Sequence, residues 1–161
     1  MFLVKIHCIG SSEISGLSTI YKTDRAVLLP YGFEMLYKKI EHKNNNGEII
    51  IGFVGRLDIY TKGLDILIGS FEKFHQLVPN SKLWIIGDSA EKNKLQQMLR
   101  NKGISEHTVL FGSKFADEKD MLINQMDIFI HPSRNEGLPA SVIEAANFGI
   151  PCVVSEATNM C

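Results

Sequence analysis

Cysteine is scarce in this 161-residue chain, and its placement excludes more than its number does. Cys8, Cys152 and Cys161 are far apart, odd in number and without Cys-x-x-Cys spacing. Neither a disulfide framework nor a zinc site is expected from them. Reduced thiols in a cytoplasmic protein are expected instead, with Cys152 buried in a strand. An excess of one charge is also lacking. A net charge of −1 offers no broad field for nucleic acid or an anionic membrane, so any anion must be held by a few local residues. No apolar run reaches the length of a membrane span, and the opening MFLVKIHCIG is too short for a signal sequence. The Gly-x-Gly-x-x-Gly fingerprint of dinucleotide-binding folds is missing where it would be needed: GFVGRLDIYTKG follows the first long apolar run instead. What remains is 45% hydrophobic and 22% charged, ordinary for a globular protein with one compact core rather than two full domains.

The apolar pattern divides the chain unequally. Residues 1–40 hold a strand-like run from Phe2 to Ile9, a short helix after SSE and the apolar run AVLLP; the polar stretch EHKNNNG follows and reads as a linker. From Glu48 a regular alternation begins. EIIIGFVG, KLWIIGD, TVLFG, DIFIHP and PCVVS read as strands. Between them lie four helices. The first has apolar positions Leu64, Leu67, Ile68, Phe71 and Phe74, with Thr61 as its candidate N-cap. EKNKLQQMLRNKG, DEKDMLINQM and PASVIEAANFG supply the others. Five strands alternating with four helices predict an α/β fold, a Rossmann-like parallel sheet with helices on both faces. Such a sheet wants a further helix after PCVVS, where only EATNMC follows. The expectation is therefore a piece of a larger protein, residues 1–46 ending one domain and crossing to a second, and residues 47–161 forming most of that second domain.

Glu136 and Glu144, eight positions apart in HPSRNEGLPASVIEAANFGIPCVVS, are the most informative pair. Gly137, Leu138 and Pro139 mark the start of a helix, so Glu136 is placed on the loop before it and Glu144 about two turns inside. In an open α/β sheet, ligands bind outside the carboxyl ends of the strands. Free amides at a helix start favour an anion there, whereas an ionised carboxylate only accepts hydrogen bonds and suits hydroxyls. Phosphate plus polyol describes a nucleotide sugar. A second cluster, GRLDIYTKG, places Arg56 and Lys62 at the end of the first strand of the alternation. An arginine fork and a mobile ammonium suit a diphosphate. Surface pairing of both with Asp58 or Asp65 is the plain alternative.

Together, FVGRLDIYTKGLDILI, LWIIGD, VLFG and DIFIHPSRNEGLPASVIEAANFGIPCVVS resemble the carboxyl-terminal domain of the retaining glycosyltransferases of family 4, which have the two-domain GT-B architecture. The resemblance covers about residues 48–158. Its strongest element is a glutamate pair separated by seven residues, met by Glu136 and Glu144. IHCIGSSEIS through LLPYGFE is similar to the end of the family's amino-terminal domain. The resemblance implies that Arg56 and Lys62 hold the donor diphosphate and steady the leaving group. It implies that Glu136 contacts donor-sugar hydroxyls near the reacting carbon, that Gly137 and Leu138 offer backbone amides, and that Glu144 accepts from the ribose hydroxyls. The loop around Lys114 and Phe115 would pack on the nucleobase. Neither metal nor cofactor is implied. The donor would be a UDP-sugar first and a GDP-sugar second. The partner would be the amino-terminal domain of the same protein, without which the residues at hand would bind donor and not catalyse. Polysaccharide assembly in the cytoplasm, or at the inner face of the membrane, follows from bacterial members.

Two departures stand out. GDSAEK carries one glycine where the family has a glycine-rich turn, and EATNMC stands where many members have a glycine pair. Among other residues, His131 reads as a hydrogen-bonded structural residue, His75 and His107 as surface, Trp84 and Phe74 as core, Met98, Met121 and Met126 as gap fillers, and Asp88 as either a ligand contact or a cap. Competing functions are another GT-B-like enzyme, such as a sugar phosphorylase or nucleotide-sugar epimerase, and a Rossmann-like nucleotide-binding module without catalysis.

Overall fold

The computed structural model describes residues 5–20, 24–30, 32 and 47–158. Most of the expected linker, with residues 33–46, lies outside them. The front part forms a β-α-β unit: β1 (Ile6–Cys8), α1 (Ser11–Ile20) and β2 (Ala26–Leu28), with the two strands paired in parallel. The main part follows as β3 (Ile49–Val54), α2 (Leu64–Leu77), β4 (Ser81–Ile86), α3 (Lys92–Asn101), β5 (Thr108–Gly112), α4 (Ala116–Ile123), β6 (Ile128–His131), α5 (Ala140–Asn147) and β7 (Cys152–Val154). Its five strands are all parallel, in the order β5-β4-β3-β6-β7. Among the described residues no helix is long and apolar enough to cross a membrane.

Strand β3 sits at the centre and is buried from Ile50 to Val54. Its alternating side chains feed two cores, as the period of two demands. Ile51 and Phe53 join Leu64, Leu67, Ile68 and Phe71 of α2 and Leu95 and Leu99 of α3 on one face. Ile50 and Val54 join Ile123 of α4 and Val142 and Ala145 of α5 on the other. Gly52 is small for a reason: a Cβ there would lie 1.9 Å from the Met126 sulfur. The chain runs outward from β3 to β5 and then returns to β6 on β3's other side, so the connections diverge between β3 and β6. That divergence leaves a crevice at their carboxyl ends, and ligands of open α/β sheets bind at such switch points.

Several local expectations need correction. Thr61 does not cap α2; the N-cap is Gly63, in the left-handed region at φ 66, and makes no side-chain cap bond. Thr61 instead donates its backbone N–H to Asp58 Oδ1 at 2.9 Å, closing a tight turn ahead of the helix. Helix α5 starts at Ala140, so Glu144 lies about one turn inside rather than two. Phe74 and Trp84 are half-buried. Met121 is exposed, whereas Met126 fills the core. His75 and His107 are not loose surface residues: their rings meet at 3.9 Å, and His75 Nδ1 bonds to Ser81 Oγ.

Candidate functional site

Two loops build the site, one after β3 (residues 55–63) and one after β6 (residues 132–139). The first is nailed to the core by Leu57 and Ile59, both buried. Its backbone is tied further by Ile59 N–H to the Glu91 carboxylate at 2.8 Å and Lys62 N–H to Asp58 O at 2.9 Å. Asp58 is held below the usual carboxylate range, first by the Thr61 backbone N–H. The second loop is clasped to the first by Arg134. Its backbone N–H donates to Thr61 O at 2.8 Å, its Nη1 to Tyr60 O at 2.8 Å, and its guanidinium forks onto both oxygens of Asp65 at 2.8 and 2.7 Å. The guanidinium also lies over the Tyr60 ring. At Gly63 the loops touch backbone to backbone: a Cβ there would stand 2.0 Å from Pro132 O.

This clasp brings Lys62 and Glu136 together from 74 positions apart. Glu136 Oε1 accepts from Lys62 Nζ, from Ser133 Oγ at 3.1 Å and from His131 Nε2 at 3.0 Å. The carboxylate only accepts here, so His131 Nε2 is assigned the proton. His131 itself is 1% exposed, and its ring lies nearly parallel to those of Phe53 and Phe129, at 5.5 and 6.3 Å. Its Nδ1 is buried without a partner among the described residues, the pattern of a ring aimed at one acceptor. Burial alone would raise the Glu136 pKa, but the His131 hydrogen bond and the Lys62 ammonium outweigh it and hold it at about 2. Glu136 is thus a fixed anion with a cation at its side. His131 is hydrogen-bonded, as expected, and its partner is the loop glutamate.

Glu144, on α5, points into the same crevice and is met there by Lys119 of α4, Nζ to Oε1 at 2.7 Å. Ala140 and Ser141, at the start of α5, and Leu138 line this cleft with Lys62, Glu136 and Glu144. Arg56 lines a second cleft with Gly87, Lys114 and Phe115. The clefts measure ≈ 310 and ≈ 330 Å³ and share Val54, Gly55 and Lys119 along their common wall. Each lies at the lower end of the size range of small-molecule sites. Arg56 and Glu136 therefore open onto neighbouring parts of one crevice. Arg56 is largely exposed and leans on Asp58 at 3.3 Å, so the plain surface pairing is realised for it, whereas Lys62 is inward and pairs with Glu136. Phe115 is 77% exposed at the rim. Gly137 lies apart from the main cleft, facing the front unit: a Cβ on it would meet Glu13 Oε1 at 2.7 Å.

Arg134, Ser133 and Lys119 escaped the sequence reading. Arg134 and Asp65 are 69 positions apart, and only the β3–β6 adjacency makes them neighbours. Lys119 sits in the charge-rich stretch DEKD, where nothing marks one side chain as inward.

The family model of glycosyl transferases group 1 matches residues 37–161. The chain is 31% identical over 94 residues to the O-antigen biosynthesis glycosyltransferase WclY of Escherichia coli, a match covering 58% of this chain and 25% of that protein. It is 34% identical over 103 residues to MJ1059, an uncharacterized glycosyltransferase of Methanocaldococcus jannaschii, covering 64% of this chain and 25% of that one. Among solved structures, a mutant of S. aureus TarM in complex with fondaparinux, α-GlcNAc-glycerol and UDP has a TM-score of 0.84 at 18% identity, over 96% of this chain and 30% of TarM. That likeness shows the fold, a parallel α/β sheet flanked by helices like that of GT-B glycosyltransferases. The matched part of this chain spans a quarter of the length of both curated relatives.

Proposed function

The chain belongs to the glycosyl transferases group 1 family, and from that premise we propose that its β3–β6 crevice binds a nucleoside-diphosphate sugar as the donor for glycosyl transfer with retained anomeric configuration. The carrying observation is the convergence of Lys62, Glu136 and Glu144 on one cleft, with Arg56 on the adjoining one. Lys62 has three N–H donors, and Glu136 takes one. Among the described residues the others have no partner and can serve the diphosphate together with Arg56. The Glu136 carboxylate faces the sugar hydroxyls, and the Glu144 carboxylate accepts from the ribose. Phe115 and Lys114 form the nucleobase side of the rim. UDP is the first expectation for the base; TarM, of the same fold, was solved with UDP.

In the reaction the bond from the anomeric carbon to the diphosphate oxygen breaks. The acceptor oxygen bonds to the same carbon, and the hydroxyl proton is released. Negative charge grows on the departing diphosphate, which is where the two cations act. Because relatives are several times longer than the matched span, turnover is proposed for the protein in which these residues are joined to an amino-terminal domain. Its product class is a cell-envelope or exported polysaccharide. A phosphorylase or epimerase would use the same cations, but the glutamate pair is less expected of either, and the family match does not favour them.

Arg56→Ala tests the charge argument. In the longer protein that carries the amino-terminal domain, turnover of sugar transfer from UDP-glucose should fall about 10²–10³-fold, the usual loss on removing one preorganised group facing transition-state charge. An unchanged kcat with a raised KM would mean that Arg56 binds donor and transition state alike.

A further inference from the structure

Lys119 stands on the wall shared by the two clefts, and no assignment above gives it a role of its own. It comes from α4, whereas Glu144 comes from α5, both on the same face of the sheet. Their ion pair is short, at 2.7 Å, and the side chains are only 20% and 21% exposed. A freely exposed pair would add little and hold nothing in place. This one is enclosed enough to fix a carboxylate that has several rotatable bonds of its own. The ammonium pairs with Glu144 Oε1; among the described residues Oε2 meets no hydrogen-bond donor, which leaves it to accept from a ligand in the cleft.

We propose that Lys119 is a positioning residue: it holds the Glu144 carboxylate in the orientation that accepts ribose hydroxyls, and so makes the site select ribonucleoside over 2′-deoxyribonucleoside diphosphates. This rests on the donor-site reading. A carboxylate distinguishes a hydroxyl from a hydrogen only if its lone pairs already point at the hydroxyl; a wandering one loses in ordering what it gains in contact. The selectivity therefore belongs to the Lys119–Glu144 pair rather than to Glu144 alone.

Calorimetric titration of the full chain with UDP and with 2′-deoxy-UDP tests it. The unmodified chain should prefer UDP about tenfold, the worth of one charge-assisted hydrogen bond. In Lys119→Met the preference should fall to about twofold, because Glu144 keeps its charge and loses its orientation. Lys119→Arg, which preserves the ion pair, should keep the preference. A general loss of structure would weaken both nucleotides equally and leave the ratio alone. An unchanged ratio in Lys119→Met, or a ratio lost equally in Lys119→Arg, would overturn the proposal. Binding of UDP by the unmodified chain without any preference over 2′-deoxy-UDP would overturn it and the ribose role of Glu144, while sparing the diphosphate contacts. Binding of neither UDP nor 2′-deoxy-UDP would instead remove the donor-site reading beneath it.

Discussion

Gly63→Ala is expected to cost about 4 kcal/mol or more, in the range that single substitutions reach only through a specific lesion. Two causes add. The left-handed φ of 66 is unfavourable for any residue with a Cβ. The larger cause is contact: the new methyl would stand 2.0 Å from Pro132 O, and a backbone carbonyl cannot swing aside as a side chain can. The 132–139 loop would have to back away, taking Arg134 off Thr61 and Glu136 off Lys62. Urea unfolding measures the loss. Gly69→Ala is the matched control, because a Cβ there meets nothing within 4 Å inside α2. It should be neutral or stabilise by about 0.5–1 kcal/mol, the difference in helix preference between the two residues. A Gly63→Ala loss below about 1 kcal/mol would mean that the two loops do not meet as described.

Glu136→Gln should give the second large effect, and one with a pH signature. The Glu136 carboxyl is held at about 2 in the fold against an ordinary 4.5, and the side chain is 14% exposed. A depressed carboxyl stabilises the fold fully above its unfolded value, and the gain is lost as pH falls through the folded one. The window therefore runs from about 4.5 down to about 2. The drop across it amounts to about 3 kcal/mol at most. Glutamine cannot titrate and leaves Lys62 and His131 facing a neutral amide. The variant should be less stable at pH 7 and converge on the unmodified chain as pH approaches 2. Asp58 and Asp65 are also held below the usual range but are present in both proteins, so the difference isolates Glu136. Parallel stability curves across that window would contradict the Lys62–Glu136–His131 cluster.

Which parts of this were legible in advance follows from the range over which each cause acts. The strands and helices are written in local periodicity, and β3, with every residue from Ile50 to Val54 buried, is where burial on both faces leaves the plainest mark. Glu136 and Glu144 were found because one loop and one helix carry both. Lys62 was placed at the site by its position after a strand, but its union with Glu136 depends on β3 lying beside β6, and strand order is not a local property. The same reason hid the Arg134–Asp65 clasp and the Lys119–Glu144 pair. Thr61 misled because a threonine before an apolar stripe fits two roles, a cap or a turn residue. Backbone crowding at Pro132 reserved the cap for Gly63. The front unit forms the expected strand-helix-strand order, and its α1 reaches the Gly137 loop through Glu13, a contact no local pattern encodes.

Calorimetry of the chain with UDP-glucose, a GDP-sugar and NAD tests the central claim most directly, with Lys62→Ala alongside. The account predicts binding of a sugar nucleotide, UDP-glucose first, no binding of NAD, and affinity for the sugar nucleotide weakened about tenfold or more in Lys62→Ala, which loses a charge-assisted contact. Binding of NAD with no sugar nucleotide, or UDP-glucose affinity indifferent to Lys62, would contradict it.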